Sequence, residues 1–212
     1  MSGFTNTLQR TDSWFLSRIG KLTSSAMEDA ISFNKNGKSS QAREDLILNK
    51  AIERVTGISQ DKDLSKIRVI QWGIENEPNA KMQVMVEYGI IGQDVSTVDH
   101  PDIDMFSCSP DWAVQGKPWE FKCPETKTHF RYAMDKNMPE MYMPQMACQC
   151  LCLGADSGTF ISYDPRVPER YRLVKRQFEP SDSYLKEIEE KAKLFLSEVD
   201  KMTKQILESS WG

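Results

Sequence analysis

The chain has 212 residues, 39% of them hydrophobic and 27% charged, with a mean hydropathy of -0.54. That is enough chain to bury a core of its own, and no run approaches the roughly 18 apolar residues a membrane-spanning helix needs. The net charge of -4 argues against a uniformly basic DNA-binding surface.

The charge is unevenly spread. Residues 61–120 hold 5 basic and 11 acidic groups, whereas 1–60 hold 8 and 6, and 121–180 hold 9 and 7. Asn6, Gln9, Arg10 and Asp12 interrupt any leader-like apolar stretch, so the expected compartment is the cytoplasm, with no membrane partner. The five cysteines are odd in number and include no CxxC pair, which predicts reduced, buried thiols rather than disulfides or a zinc ribbon. No repeat or linker breaks the sequence, and residues 1–212 read as a single mixed α/β domain.

In chain order, Asp12 to Ile31 reads as a helix in two pieces, interrupted at Gly20 and restarted by Thr23-Ser24-Ser25, whose hydroxyls suit an N-cap. A loop rich in Asn, Gly and Ser covers 34–40. The apolar spacing from Gln41 predicts a helix ending at Gly57. Another helix is expected from about Gly73, carrying Glu77, and the alternation of Val84, Val86 and Tyr88 predicts a strand. Asp111–Gln115 and Pro118–Cys123 read as a hairpin turning around Gly116-Lys117. A helix over Pro139–Leu153 contains Pro144, which must kink it or mark its start. Thr159–Tyr163 and Tyr171–Phe178 read as strands. Leu185, Ile188, Ala192, Phe195, Val199, Met202 and Ile206 define an amphipathic terminal helix over about 182–208, opened by Asp182 or Ser183 and expected to pack on the body of the same chain.

Chemistry concentrates between Ser109 and Pro124. In a strand over Pro118–Cys123, Glu120 and Lys122 share one face, and Asp111 stands across the hairpin. Two carboxylates with a backbone carbonyl make a hard oxygen site for Mg²⁺, with Mn²⁺ as a substitute, and an adjacent ammonium can orient an attacking water. Glu77 and Gln145 add polar groups within apolar surroundings. His100 and His129 lack the spacing of a zinc pair and read as exposed.

Six ordered motifs resemble the lambda exonuclease family, the phage alkaline exonucleases of the PD-(D/E)xK nuclease superfamily. They are Trp14 with Arg18 to Ser25, Trp72-Gly73 with Glu77, Cys108-Ser109-Pro110-Asp111, Glu120 to Pro124, Tyr142-Met143 with Gln145, and Tyr163-Asp164-Pro165-Arg166, spread from about Asp12 to Phe178.

The resemblance implies a restriction-endonuclease-like fold, a mixed central sheet flanked by helices. The implied enzyme is a Mg²⁺-dependent 5′→3′ exonuclease that digests one strand of linear double-stranded DNA to mononucleotides, in a bacterial host's cytoplasm. A homotrimeric ring and a single-strand annealing partner come with it. Asp111, Glu120 and the Phe121 carbonyl match the metal ligands, Glu77 a second metal position, and Lys122 and Gln145 the groups that handle the water. Arg18 with Thr23, Ser24 and Ser25 matches the pocket for a 5′-phosphate, and a helix opening at Thr23 would favour an anion. Ile70 matches an apolar wedge at the duplex end. Trp112 and Pro144 depart from the family pattern and put the local geometry around Asp111 and Gln145 in question. A sequence-specific endonuclease and a non-catalytic DNA-end-binding protein are the rival expectations.

Overall fold

The structure, a computed structural model, describes residues 9–60 and 67–209. In its first half, α1 (Asp12–Leu16), β1 (Leu22–Thr23), a 3-10 turn (Ser24–Ala26) and α2 (Met27–Ala30) lead into α3 (Gln41–Thr56) and α4 (Arg68–Tyr88). There follow β2 (Val98–Asp99), β3 (Phe106–Cys108), β4 (Trp112–Val114), β5 (Lys117–Lys122), α5 (Thr126–Met134), α6 (Met143–Leu153), β6 (Gly158–Tyr163), β7 (Leu173–Phe178) and α7 (Asp182–Glu208).

The strands form two mixed sheets. In the larger, β4 and β5 are antiparallel, β5 and β6 parallel, and β6 and β7 antiparallel. The smaller places β3 between β1 and β2. The parallel step from β5 to β6 needs a crossover, which α5 and α6 supply. Strict alternation along β5 and β6 then sends side chains to two different cores. Phe160 joins Met146, Ala147 and Cys148 of α6, with Ile188, Ala192 and Phe195 of α7 behind them. Trp119, Phe121, Ile161 and Tyr163 face the opposite way, onto Ala80 and Val84 of α4. Each fully buried side chain of this size contributes about 1.5–3 kcal/mol, so both faces of the sheet are held by substantial apolar burial.

Several sequence expectations hold. Helix α3 ends at Gly57 in the left-handed conformation, α7 buries its apolar seam against the same chain, and Pro144 lies in the first turn of α6, where its missing N–H costs nothing. All five cysteines are free and buried. The hairpin forms, but its two-residue turn is Gln115-Gly116, both at positive φ, because a primed turn matches the twist of the strands it joins.

Other expectations fail for identifiable reasons. Val84, Val86 and Tyr88 are the last turns of α4, which starts at Arg68 rather than near Gly73. Val84 is buried while Val86 is open to solvent, so the alternation was local and the 3.6-residue period governs. Ser181, not Asp182 or Ser183, caps α7 by accepting the N–H of Tyr184. Thr23 makes no capping bond, and the segment after it is a 3-10 turn and a four-residue helix. Helix α5 lies where the sequence pattern announces no element. Its end is secured from outside, by Arg176 of β7 donating to the carbonyls of Tyr132, Ala133 and Asp135.

Both histidines are buried, against expectation. His129 Nε2 donates to the Tyr171 carbonyl at 2.8 Å, which leaves Nδ1 to accept from Ser162 at 2.8 Å. His100 Nδ1 accepts the N–H groups of Asp102 and Ile103, both at 3.1 Å, and Nε2 faces Glu189 at 3.3 Å. Among the described residues, no helix is long and apolar enough to cross a membrane.

Burial of the His100 ring lowers its proton affinity below the ordinary value of 6.5, more than the nearby Glu189 carboxylate raises it. A depressed folded-state value means that the unfolded chain takes up the proton first. The stability His100 contributes is therefore present above pH 6.5 and lost as the pH falls through the folded value. Thermal melts between pH 7 and pH 5 should show a falling midpoint, and His100→Asn should make that fall shallower.

Candidate active site

The candidate site lies where β4 and β5 meet the N-terminal end of α6. Asp111, just before β4, turns Oδ2 onto the N–H of Phe121 at 2.7 Å. That bond spans the hairpin and fixes the aspartate against the catalytic-looking strand. Phe121 faces the α4 core, so its neighbours Glu120 and Lys122 project from the other face of β5. Glu120 is 3% exposed and fully engaged. Oε1 accepts from Lys122 Nζ at 2.6 Å and from Gln145 Nε2 at 2.7 Å, and Oε2 accepts from Gln149 Nε2 at 2.6 Å. Gln145 and Gln149 stand one turn apart on α6, so a single helix face holds both oxygens of the carboxylate.

Glu77 approaches from α4. Its carboxylate pairs with Arg10 at 3.0 Å and with Lys81 at 2.9 Å. A cavity of about 340 Å³ unites Glu77, Asp111, Glu120, Phe121, Lys122 and Ile70. Ile70 lies in the first turn of α4, at the rim of that cavity rather than before the helix.

The electrostatics of the cluster are those of excess negative charge. Burial, then the carboxylates of Glu120 and Glu77, push the Asp111 carboxyl well above the ordinary carboxylate range, and Lys122 with the Phe121 N–H only partly offsets them. Burial alone would lower Lys122, but Glu120 and Asp111 outweigh it and hold the amine above its usual value, as an ammonium. Burial, reinforced by Glu77 and Asp111, pushes the Cys123 thiol up to about 12, which keeps it protonated.

Among the described residues, no group of three His, Cys, Asp or Glu side chains stands ready to hold a metal ion unaided. The donors that fit a divalent cation are a pair of carboxylates, Asp111 and Glu120, with the intervening backbone of β5. Their mutual repulsion is the physical feature that a hard cation would relieve.

The Arg18 group forms a second cluster. The guanidinium lies over the Trp14 ring at 4.2 Å and donates to Ser109 at 3.3 Å, Thr23 at 3.3 Å and Ser25 at 3.5 Å. Trp14 Nε1 also reaches Ser109, at 3.1 Å. Ser25 is exposed, whereas Ser24 is buried and no hydrogen bond ties its hydroxyl to this group. The expected helix-end contribution to anion binding falls away, because a four-residue helix has little dipole to offer. What remains is a cation ringed by hydroxyls. Ser109 belongs to both neighbourhoods: it contacts Arg18 and stands two residues before Asp111.

Three contributors were not singled out from sequence. Gln149 is signalled by its four-residue spacing from Gln145 on an otherwise apolar helix. Arg10 and Lys81 are not signalled, since their partner Glu77 is remote from Arg10 in the chain and the Lys81 pairing resembles an ordinary surface i,i+4 ion pair. Trp112 is accommodated without disturbing Asp111. Its ring packs edge-on to Phe121 at 5.4 Å and fills the space a Cβ on Gly92 would take, at 2.5 Å.

A model of the YqaJ-like viral recombinase domain matches residues 13–156. The chain belongs to the YqaJ-like viral recombinase family. The match takes in the Arg18 cluster, Glu77, Asp111, Glu120, Lys122 and both glutamines of α6. Among solved structures, the chain is similar to an alkaline exonuclease, LHK-Exo, from Laribacter hongkongensis, with 30% identity, a TM-score of 0.83 and coverage of 92% of this chain and 96% of that one. The same figures hold for LHK-Exo in complex with dAMP. A phage-related exonuclease from Haemophilus somnus 129PT shares the fold at 15% identity, with a TM-score of 0.67 over 88% of this chain and 95% of that one. No curated protein matches the chain. The resemblance read from the six motifs is thereby borne out, as is the PD-(D/E)xK-like fold.

Asp111→Asn removes a half-buried carboxyl whose ionisation Glu120 and Glu77 oppose, and keeps an oxygen for the Phe121 N–H. Without divalent cations it should melt higher than the wild type, by about 2–4 °C for each kcal/mol of repulsion relieved. Differential scanning fluorimetry in EDTA checks this, and an unchanged or lower midpoint would show that Asp111 is not under repulsion.

Proposed function

We propose that the chain is a Mg²⁺-dependent 5′→3′ exonuclease that degrades one strand of linear double-stranded DNA and leaves a 3′ single-stranded overhang. The observation that carries this reading is the juxtaposition of Asp111, Glu120 and Lys122 on one hairpin with the Arg18 cluster, linked through Ser109. The family supports it, as do LHK-Exo, an alkaline exonuclease by name, and that protein's complex with dAMP, a nucleoside monophosphate of the kind such a reaction releases.

Asp111, Glu120 and the Phe121 carbonyl would hold Mg²⁺ or Mn²⁺, and Glu77 would serve a second ion. When bound, such an ion would supply Lewis-acid charge at the phosphoryl oxygens and favour deprotonation of the attacking water. The chain's own groups do the positioning. Lys122, hydrogen-bonded to Glu120, orients the attacking water and offsets charge on the phosphoryl group. Gln145 holds the Glu120 oxygen that Lys122 also meets, while Gln149 fixes the other carboxylate oxygen.

Water oxygen bonds to phosphorus as the bond from phosphorus to the 3′ oxygen breaks; the water gives up a proton to solvent, and the departing 3′ oxygen takes one up to become a hydroxyl. The released nucleotide keeps its 5′-phosphate, and the shortened strand gains a new one. Each turnover therefore regenerates the anion that the Arg18 cluster is suited to receive, by charge and by hydroxyl donors. Ile70, at the rim, would press on the terminal base pair. A homotrimeric ring, a single-strand annealing partner and action in the host cytoplasm belong to the same proposal. Native mass spectrometry would read the ring as three times the 24.3 kDa chain mass.

The decisive assay supplies Mg²⁺ with linear 5′-phosphorylated duplex or with closed circular DNA, beside Glu120→Ala. Mononucleotides should appear from the linear substrate alone, and the variant should lose at least about a hundredfold in rate. Cleavage of closed circles would favour an endonuclease, and an unaffected variant would remove Glu120 from the mechanism.

A further inference from the structure

Gly20 is held by both of its backbone polar groups, and both holders are side chains from the last turn of α3. Its N–H donates to Glu53 Oε2 at 2.7 Å, and its carbonyl accepts from Arg54 Nε at 2.9 Å. The residue has a φ of +69°, and a Cβ there would stand 2.6 Å from Cγ of Arg54, so the position calls for glycine on two counts.

The clamp is built from buried charge. Glu53 is 1% exposed. Its Oε2 also accepts from Lys50 Nζ at 2.9 Å, and its Oε1 accepts the N–H of Gln60 at 2.9 Å. Arg54 in turn pairs with Asp200 of α7, which braces the guanidinium from behind. Burying a carboxylate is costly unless every lone pair is used, and here one use is to immobilise a single peptide residue.

That residue sits two positions after Arg18. The turn between them closes with the Lys21 N–H on the Arg18 carbonyl at 3.1 Å, and Leu22 then enters β1 by donating to Met105 at 2.8 Å. The clamp thus fixes the piece of backbone that joins Arg18 to Thr23 and Ser25, the hydroxyls its guanidinium meets.

We propose that Glu53, together with Arg54, is a positioning residue for Arg18, and that the clamp on Gly20 sets how strongly the enzyme prefers a 5′-phosphate to a 5′-hydroxyl end. The proposal rests on the reading of the Arg18 cluster as the 5′-phosphate pocket. Guanidinium recognition of a phosphate is directional, so a displaced backbone costs phosphate binding before it costs anything at the hairpin carboxylates, which Glu53 does not touch.

The test compares duplexes with 5′-phosphate and 5′-hydroxyl ends under steady-state conditions in Mg²⁺, using the wild type, Glu53→Gln, Arg54→Ala and Arg18→Ala, each well below its melting midpoint. Glu53→Gln swaps one accepting oxygen for an amide donor that opposes a backbone N–H. The expected result is a phosphate preference reduced roughly tenfold in Glu53→Gln and Arg54→Ala, through a raised KM on phosphorylated ends, with the rate on 5′-hydroxyl ends little changed and Arg18→Ala lower still. Equal losses on both substrates, with the preference retained, would overturn the proposal and leave Glu53 a merely structural residue. Should Glu53→Gln fail to fold, Arg54→Ala, at the helix edge, decides alone. A wild type that shows no preference, with Arg18→Ala identical to it, would instead overturn the phosphate pocket on which the clamp depends, and the Glu120→Ala comparison would stand apart from that failure.

Discussion

The site depends on one constraint: Glu120 is a carboxylate on a buried strand of a sheet covered on both faces. Its charge is tolerated because Lys122, Gln145 and Gln149 use both of its oxygens, and those donors come from the same strand and from α6. Helix α6 must therefore lie across β5 in one register. The core beneath it, Met146 and Cys148 against Phe160, and α7 beyond, hold it there. The long terminal helix is in this sense part of the site's foundation, although none of its residues lines the cavity.

Asp111 is the group whose compensation is incomplete. It gains one N–H from Phe121, yet burial and the neighbouring Glu120 and Glu77 keep its proton affinity high. A fold would not be expected to maintain that repulsion for stability alone, since replacing a buried charge by a neutral group of the same shape often stabilises. The arrangement makes sense if a divalent cation belongs between the carboxylates, and three of the eleven acidic groups in residues 61–120, Glu77, Asp111 and Glu120, are then part of the site.

Much of this was legible in the sequence because the chemistry sits on local patterns. Glu120 and Lys122 share a face by strand alternation alone, Asp111 is brought across by a short hairpin, and α7 announces itself by its period. What was not legible required contacts distant in sequence. Arg10 meets Glu77 across 67 positions, Glu53 meets Gly20 across 33, and α5 owes its end to Arg176, 41 to 44 residues on. The strand read at Val84 to Tyr88 failed because three alternating residues are too short a run to set a period, and the opposite fates of Val84, buried, and Val86, open to solvent, show the helical one. Thr23-Ser24-Ser25 looked like a cap because hydroxyls there usually are; in this chain two of the three face a guanidinium instead.

Nuclease chemistry at this hairpin requires Asp111 and Glu120 to hold a cation together. Titrating Mn²⁺ into the apo protein while following the free ion by electron paramagnetic resonance tests it without recourse to activity. The wild type should bind Mn²⁺ in competition with Mg²⁺, and Asp111→Asn should bind at least roughly tenfold more weakly, the loss of a charge-assisted ligand. Equal affinity in the two proteins would contradict the account, whatever their activity on DNA.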